Sequence, residues 1–244
     1  MNSKIMKGAG QPLILSLFFL LCSVPLFAQN LPVSAYGLKY INSIALYQKS
    51  LVNHPEKKMV SLASIPGIIF DLRYATDSNF LHRKLYPDTI HTTFLRKPAY
   101  QALDSVATEL SHHGLVLVIF DAYRPYSITE QMWKKVKDER YAANPAKGSG
   151  HNRGISVDLT LADANTRALL PMPTGFDNFS DTAYQNFNKL DSRKIANRDL
   201  LKKTMEKYGF IPLFSEWWHY SWPETGDFEV LDLSFAQLME AGNN

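Results

Sequence analysis

Two polar stretches that lie far apart in the sequence constrain the fold most, because each carries side chains that ligate metals. The first stretch holds His151 and Asp158, and the second holds Glu216 and His219. Hydrolytic zinc sites usually take three protein ligands from His, Asp, Glu and Cys, and leave a fourth position open. We predict one zinc ion per chain bound by His151, Asp158 and His219, which requires a fold that brings the two stretches together.

The spacing of the second stretch indicates catalysis rather than metal storage. Glu216 lies three residues before His219, so both side chains can face one metal from a helix or a tight turn. A carboxylate beside the metal can then move protons. The structural alternative is a surface glutamate next to a core histidine. The aromatic Trp217 and Trp218 between the two argue against a purely solvated carboxylate.

The N-terminus has the pattern of a secretory signal. Lys4 and Lys7 form a basic start, Leu13–Leu21 form an apolar core, and Phe27–Gln29 offer a cleavage point. The apolar run is shorter than the ~20 residues that a membrane-spanning helix needs. We therefore predict that residues 1–28 are a signal peptide, which exports the chain across an inner membrane to the periplasm without stable membrane insertion afterwards.

Composition excludes several classes of function. Cys22 is the only cysteine and lies in the predicted signal, so the exported chain has no thiol for a disulfide or for catalysis. Leu21 stands where a lipoprotein signal carries a small residue, which argues against a lipid anchor. The formal charge of +3 falls to +1 without Lys4 and Lys7. A nearly neutral chain lacks the basic face that nucleic acid requires.

The remaining sequence predicts a single α+β domain. No linker and no internal repeat divide it, so residues 59–244 are predicted as one catalytic domain and residues 29–58 as an N-terminal helical extension. The central sheet is expected to be mostly antiparallel and flanked by helices. The predicted strands are 65–74, 115–120, 154–161, 210–214 and 217–222; the predicted helices start at Pro98, at a capping box Ser127–Glu130 that runs to Asp138, and at Ala196. Residues 166–181 are predicted as an irregular segment that covers the site.

Four motifs in order resemble the zinc D-Ala-D-Ala dipeptidases of the VanX type. They are Asp71–Thr76 (DLRYAT), Asp121–Pro125 (DAYRP), Ser149–Leu161 (SGHNRGISVDLTL) and Glu216–Tyr220 (EWWHY). The resemblance extends from about Ile65 to Tyr220. It implies the fold shared with zinc D-Ala-D-Ala carboxypeptidases and the hedgehog signalling domain.

The resemblance also implies roles for single residues. His151, Asp158 and His219 become the zinc ligands and Glu216 the catalytic base. Arg124 becomes the residue that polarises the scissile carbonyl, a task suited to a permanently charged planar guanidinium. A structural ion pair is the alternative for Arg124.

The substrate is held by two further residues in this family. Ser149 and Asp177 match positions that bind the free amino group of the dipeptide, and a structural role for Asp177 is the alternative. Gly150 departs from the pattern, because relatives often carry a hydroxyl residue there. The secretory start is a second departure, since the resistance enzyme is cytoplasmic.

The expected function is zinc-dependent hydrolysis of D-Ala-D-Ala, with this small dipeptide as partner and with a role in cell-wall peptide turnover or scavenging. Two alternatives stay open at this point. One is a zinc D,D-carboxypeptidase or endopeptidase that acts on longer peptidoglycan peptides. The other is a zinc-binding domain without catalysis. The sequence leaves the oligomeric state open.

Overall fold

A five-stranded mixed sheet forms the centre of the fold. The computed structural model describes residues 1, 31–223 and 228–242, so the predicted signal peptide beyond Met1 lies outside the described residues. The seven strands of the described part are β1 (Met59–Ser61), β2 (Ile69–Phe70), β3 (Phe94–Arg96), β4 (Leu115–Asp121), β5 (Ser156–Asp163), β6 (Ile211–Pro212) and β7 (His219–Ser221). The main sheet has the order β2-β4-β5-β7-β6, while β1 and β3 form a separate antiparallel pair. Only β2 and β4 are parallel, which confirms the predicted mostly antiparallel sheet.

Helices flank this sheet, as the α+β prediction requires. Six are described: α1 (Ile44–Leu51), α2 (Lys97–Ser111), α3 (Tyr126–Lys135), α4 (Gly150–Arg153), α5 (Ser192–Lys207) and α6 (Phe235–Gly242). Helix α2 has Pro98 in its first turn, and Gly114 just beyond its end has a φ of 69°. Within the described part of the chain, no helix is both long and apolar enough to cross a membrane.

The alternation of β5 separates the core from the site. Val157, Leu159 and Leu161 are fully buried in the larger apolar core, which also contains residues from α2 and α5. Asp158 lies between them in sequence and faces the other side of the sheet, because successive side chains of a strand alternate. The strand therefore carries a metal-binding carboxylate on one face and core residues on the other.

The capping box predicted at Ser127–Glu130 is wrong. Helix α3 begins one residue earlier, at Tyr126, and Pro125 occupies the cap position without a side-chain hydrogen bond. The carboxylate of Asp232 instead accepts a hydrogen bond from the backbone N–H of Ser127 at 2.8 Å. A residue 105 positions away in sequence thus satisfies the N-terminus of this helix, and local sequence does not reveal such a partner.

Several predicted elements are longer than the observed ones. The strand predicted over 65–74 is reduced to Ile69–Phe70, and a 3-10 turn follows at Arg73–Ala75. Helix α3 ends at Lys135 rather than Asp138. In the predicted N-terminal helical extension, the described residues form only two helical elements, α1 (Ile44–Leu51) and a 3-10 turn at Pro55–Lys57.

Candidate metal centre and its cavity

Three side chains from two parts of the sequence meet beside the sheet. His151 on α4, Asp158 on β5 and His219 on β7 offer ligand atoms that all lie within 4.8 Å of one another. His219 Nδ1 is 2.8 Å from Asp158 Oδ1, and His151 Nε2 is 3.4 Å from Asp158 Oδ2. The antiparallel pairing of β5 with β7 sets Asp158 directly opposite His219. The predicted ligand set is therefore assembled by the fold.

Both imidazole rings are turned so that an unprotonated nitrogen can face a metal. His151 Nδ1 donates to the carbonyl oxygen of Ala122 at 2.7 Å, which directs its Nε2 toward Asp158. His219 Nε2 lies 3.2 Å from the hydroxyl of Ser221, which directs its Nδ1 to the same point. In metal-binding histidines, the ring nitrogen that does not bind the metal usually forms a hydrogen bond of this kind. Two imidazoles and one carboxylate fit a catalytic zinc ion.

Electrostatics favour an ionised Asp158. Burial alone opposes the charge, but the neighbouring His151 and His219 outweigh it and lower the pKa of Asp158 well below its usual range. The carboxylate is only 3% exposed. A buried anion between two imidazoles is ready to bind a cation.

The short helix α4 holds His151 in place through its caps. Ser149 Oγ accepts from the backbone N–H of Asn152 at 3.2 Å, while Asn152 Oδ1 accepts from the backbone N–H of Ser149 at 3.0 Å. Asn152 Nδ2 also donates to the Arg124 carbonyl oxygen at 2.9 Å. Gly154 ends the helix with a φ of 71°, a conformation that favours glycine. His151 thus lies in a capped helical turn.

Glu216 flanks the ligands without joining them. It lies in a tight turn before β7, closed by a hydrogen bond from the backbone N–H of His219 to the Glu216 carbonyl oxygen at 3.3 Å. Its carboxylate is 3.9 Å from His219 Nδ1. Burial raises the pKa of Glu216, and the His219 charge opposes that rise only in part. A partly dehydrated carboxylate at this distance suits proton transfer.

Arg124 is fixed by a carboxylate for which the sequence analysis assigned no role. Its Nε and Nη2 both donate to Asp121 Oδ2, at 3.0 and 2.7 Å, and Tyr86 donates to Asp121 Oδ1 at 2.7 Å. Burial disfavours the cation, but the Asp121 charge outweighs it and raises the pKa of Arg124 well above its usual value. Within the described residues Nη1 makes no hydrogen bond, which leaves it available to a substrate oxygen.

Asp177 is a half-buried carboxylate that also lines the cavity. Tyr74 Oη donates to its Oδ1 at 3.3 Å, and the backbone N–H of Phe80 donates to its Oδ2 at 3.1 Å. Burial raises the pKa of Asp177 to about 7. The ring of Tyr74 also lies under the Arg124 guanidinium, 4.9 Å from centroid to Cζ. Tyr74 therefore contacts both charged groups, a role that sequence analysis did not identify.

All seven residues predicted for the site line one small cavity. Its volume is about 170 Å³, below the ~300–1,000 Å³ that is typical for drug-sized ligands. The predicted seven are Arg124, Ser149, His151, Asp158, Asp177, Glu216 and His219. The rest of the wall comprises four aromatic residues (Tyr74, Tyr141, Phe179 and Trp218), the charged Glu139 and Arg140, and the apolar Ala142, Ala143 and Leu213. Asp177 and Phe179 of the irregular segment line this cavity, and that the segment covers the site stays a prediction.

Comparison with known proteins places this arrangement in a family. The family model for Peptidase M15, described as D-Ala-D-Ala dipeptidase, matches residues 55–238. The chain belongs to the D-Ala-D-Ala dipeptidase family. Membership makes it a metallopeptidase, and the His151, Asp158 and His219 group agrees with the predicted zinc cofactor.

Individual relatives share this assignment. The D-alanyl-D-alanine dipeptidase of Escherichia coli K12 is 32% identical over 186 residues, which cover 76% of this chain and 95% of that protein. The enzyme of the same name from Enterococcus faecalis is 28% identical, over 63% of this chain and 85% of that protein. Among solved structures, the LD-carboxypeptidase LdcB has a TM-score of 0.40 at 18% identity, with 68% of this chain and 67% of that chain covered.

Proposed function

We propose that this chain hydrolyses D-alanyl-D-alanine to two molecules of D-alanine. The observation that carries the proposal is the joint presence of the metal ligands and the half-buried carboxylate of Asp177 in one cavity of about 170 Å³. An anion in a small cavity matches the ammonium group of a free dipeptide. The related enzymes of E. coli and E. faecalis carry the name of this activity.

The side chains divide the reaction between them. Zinc, when bound by His151, Asp158 and His219, supplies Lewis-acid chemistry and lowers the pKa of water. Glu216 accepts the proton of the attacking water and later delivers it to the leaving amine. Arg124 offers its Nη1 to the carbonyl oxygen, on which negative charge develops. Because Asp121 holds the guanidinium, that donor needs no rearrangement during the reaction.

Substrate length is selected by the amino end of the dipeptide in this proposal. Asp177, and Ser149 at the cavity wall, hold the ammonium group. Ser149 Oγ already accepts the cap hydrogen bond of Asn152, so it contributes its second lone pair. A longer peptide has a neutral amide in place of the ammonium, and it adds atoms where the cavity closes.

The cellular setting follows from the predicted signal peptide. We infer that the chain is exported and acts in the periplasm, where it recycles or scavenges dipeptides released from the cell wall. The N-terminal pattern of Lys4, Lys7 and the apolar run supports export. A fusion of residues 1–30 to a reporter that is active only outside the cytoplasm tests this inference.

The activity is tested with a free and a blocked substrate. We expect zinc-loaded protein to cleave D-Ala-D-Ala with a kcat/KM at least about tenfold above that for N-acetyl-D-Ala-D-Ala, because the blocked amine leaves the Asp177 carboxylate without a charged partner. L-Ala-L-Ala serves as the stereochemical control. Equal cleavage of the acetylated compound would replace the dipeptidase proposal with a carboxypeptidase.

A further inference from the structure

Two serine hydroxyls lie behind His219, on the side away from the metal ligands. Ser221 Oγ is 3.2 Å from His219 Nε2 and 2.7 Å from Ser156 Oγ. Ser156 is only 1% exposed. Ser221, which makes the contact with the imidazole, is half-buried. A hydroxyl that accepts a hydrogen bond from the second nitrogen of a ligating imidazole favours the tautomer in which that nitrogen carries the proton.

The strand register builds this arrangement. In the β5–β7 ladder, Asp158 is paired with His219, and Ser156 is paired with Ser221. The four side chains share one face of the sheet, because residues two apart in a strand point the same way. The two ligands occupy one row of this face, and the two hydroxyls occupy the next row.

We propose that Ser221 and Ser156 are positioning residues that hold His219 in the tautomer able to bind zinc through Nδ1. This inference rests on the proposed function as a zinc enzyme. The Nε2–H of His219 donates to Ser221 Oγ, and Ser221 then has its own proton available for Ser156 Oγ. With Nε2 protonated, the lone pair of Nδ1 is free to bind the metal that His151 and Asp158 would share.

The glycine before His151 provides the space for this pair. A Cβ atom added at Gly150 would overlap Ser156 Oγ and would lie 3.1 Å from Ser156 Cβ. The backbone at Gly150 is not in the left-handed region, so its requirement for glycine comes from this neighbour rather than from φ. Gly150 and Ser156 are therefore a coupled pair, and the departure from the family pattern at Gly150 has a structural reason.

Zinc affinity, measured by chelator competition without substrate, tests the positioning role. We expect Ser221→Ala to weaken zinc binding by about 10- to 100-fold, and Ser221→Thr to restore most of it because the hydroxyl returns. Thr204→Val is the control, since it removes a buried hydroxyl that donates to Leu200 within α5. Unchanged affinity of folded Ser221→Ala, no rescue by threonine, or an equal loss in the control would each overturn the proposal. Cleavage of D-Ala-D-Ala by the wild type is measured separately, so the dipeptidase proposal and the positioning role of the serines can fail independently.

A double-mutant cycle tests the coupling with Gly150. Gly150→Ala is expected to lower the Tm by about 3 °C or more in the wild-type background, because the new methyl group overlaps the Ser156 hydroxyl. In the Ser156→Ala background that hydroxyl is absent, so the same substitution should lower the Tm less. Equal shifts in both backgrounds would show that the two positions are independent and would overturn the pairing.

Discussion

The metal ligands and Asp177 line the same cavity, but the fold holds them in different ways. His151 lies on a capped helix, while Asp158 and His219 are paired across a strand ladder. Asp177 lies in the cover segment, residues 164–180, which has no helix and only one bridge, between Leu169 and Ala162. Its backbone has a φ of 58°, in the left-handed region that non-glycine residues seldom occupy. The sheet and helix scaffold thus holds the metal ligands, whereas the carboxylate proposed to bind the substrate lies in an irregular segment.

The cover segment is nevertheless anchored. Phe176 packs against Tyr74, Phe120 and Trp218, with ring centroids 5.1 to 5.8 Å apart. Because the scaffold carries the metal ligands and Glu216, changes to it should abolish metal binding or turnover. Changes to the cover segment should alter affinity and selectivity while the metal stays bound.

The largest effect is expected at the scaffold. Asp158→Ala removes one ligand and the only negative charge among the three, so we expect loss of zinc and of all measurable turnover. Metal analysis after dialysis, together with an activity assay, checks this. Asp104→Ala on α2 lies outside the cavity and should keep both. If Asp158→Ala retained a full complement of zinc, the ligand assignment would be wrong.

Glu216→Gln separates turnover from metal binding on the same scaffold. The amide keeps the shape of the side chain but cannot accept the proton, so kcat should fall by about 10² to 10⁴. Zinc content should remain that of the wild type, because Glu216 lies outside the ligand group. Glu206→Gln on α5 is a matched control. A variant with wild-type kcat would eliminate Glu216 as the base.

Asp177→Asn tests the cover segment through pH. The ammonium group pairs only with the ionised carboxylate, and burial raises the pKa of Asp177 to about 7. In the wild type, kcat/KM for D-Ala-D-Ala should therefore rise as pH increases through about 7, because the neutral acid predominates below that value. Charged or titratable groups near Asp177 are Tyr74, Arg124, Asp158 and Glu216.

The asparagine variant should lose at least about tenfold in kcat/KM at pH 8, and the difference between its pH profile and that of the wild type isolates Asp177 from Glu216. Asp181→Asn, a nearby exposed position, is the control. Superimposable profiles for Asp177→Asn and the wild type would remove Asp177 from substrate binding.

The sequence predicts the ligands well because their spacing has a local physical basis. In the structure, apolar and polar side chains alternate along β5 as predicted, and Glu216 and His219 lie beside each other as their three-residue spacing indicates. Asp121 was missed as the support of Arg124 although it lies only three residues before it. Tyr86, which donates to Asp121, was missed because it lies 35 residues away and meets Asp121 only after folding. The error at the start of α3 has the same origin, because Asp232 is distant in sequence. Asp177 was assigned by resemblance alone, as no periodicity marks its segment.

The smallest effect is expected where the two regions touch. Trp217, in the turn between Glu216 and His219, donates its indole Nε1–H to Thr174 Oγ1 of the cover segment at 2.9 Å. Thr174→Val keeps the shape but leaves this buried donor without its partner, which costs roughly 1 to 3 kcal/mol in stability. If the cover segment acts on substrate alone, zinc affinity should stay unchanged, while KM for D-Ala-D-Ala should rise several-fold with little change in kcat. Thr166→Val, at an exposed turn of the same segment, is the control. A loss of zinc affinity in Thr174→Val would instead show that the cover segment also supports the metal centre, because Trp217 lies in the same turn as Glu216 and His219.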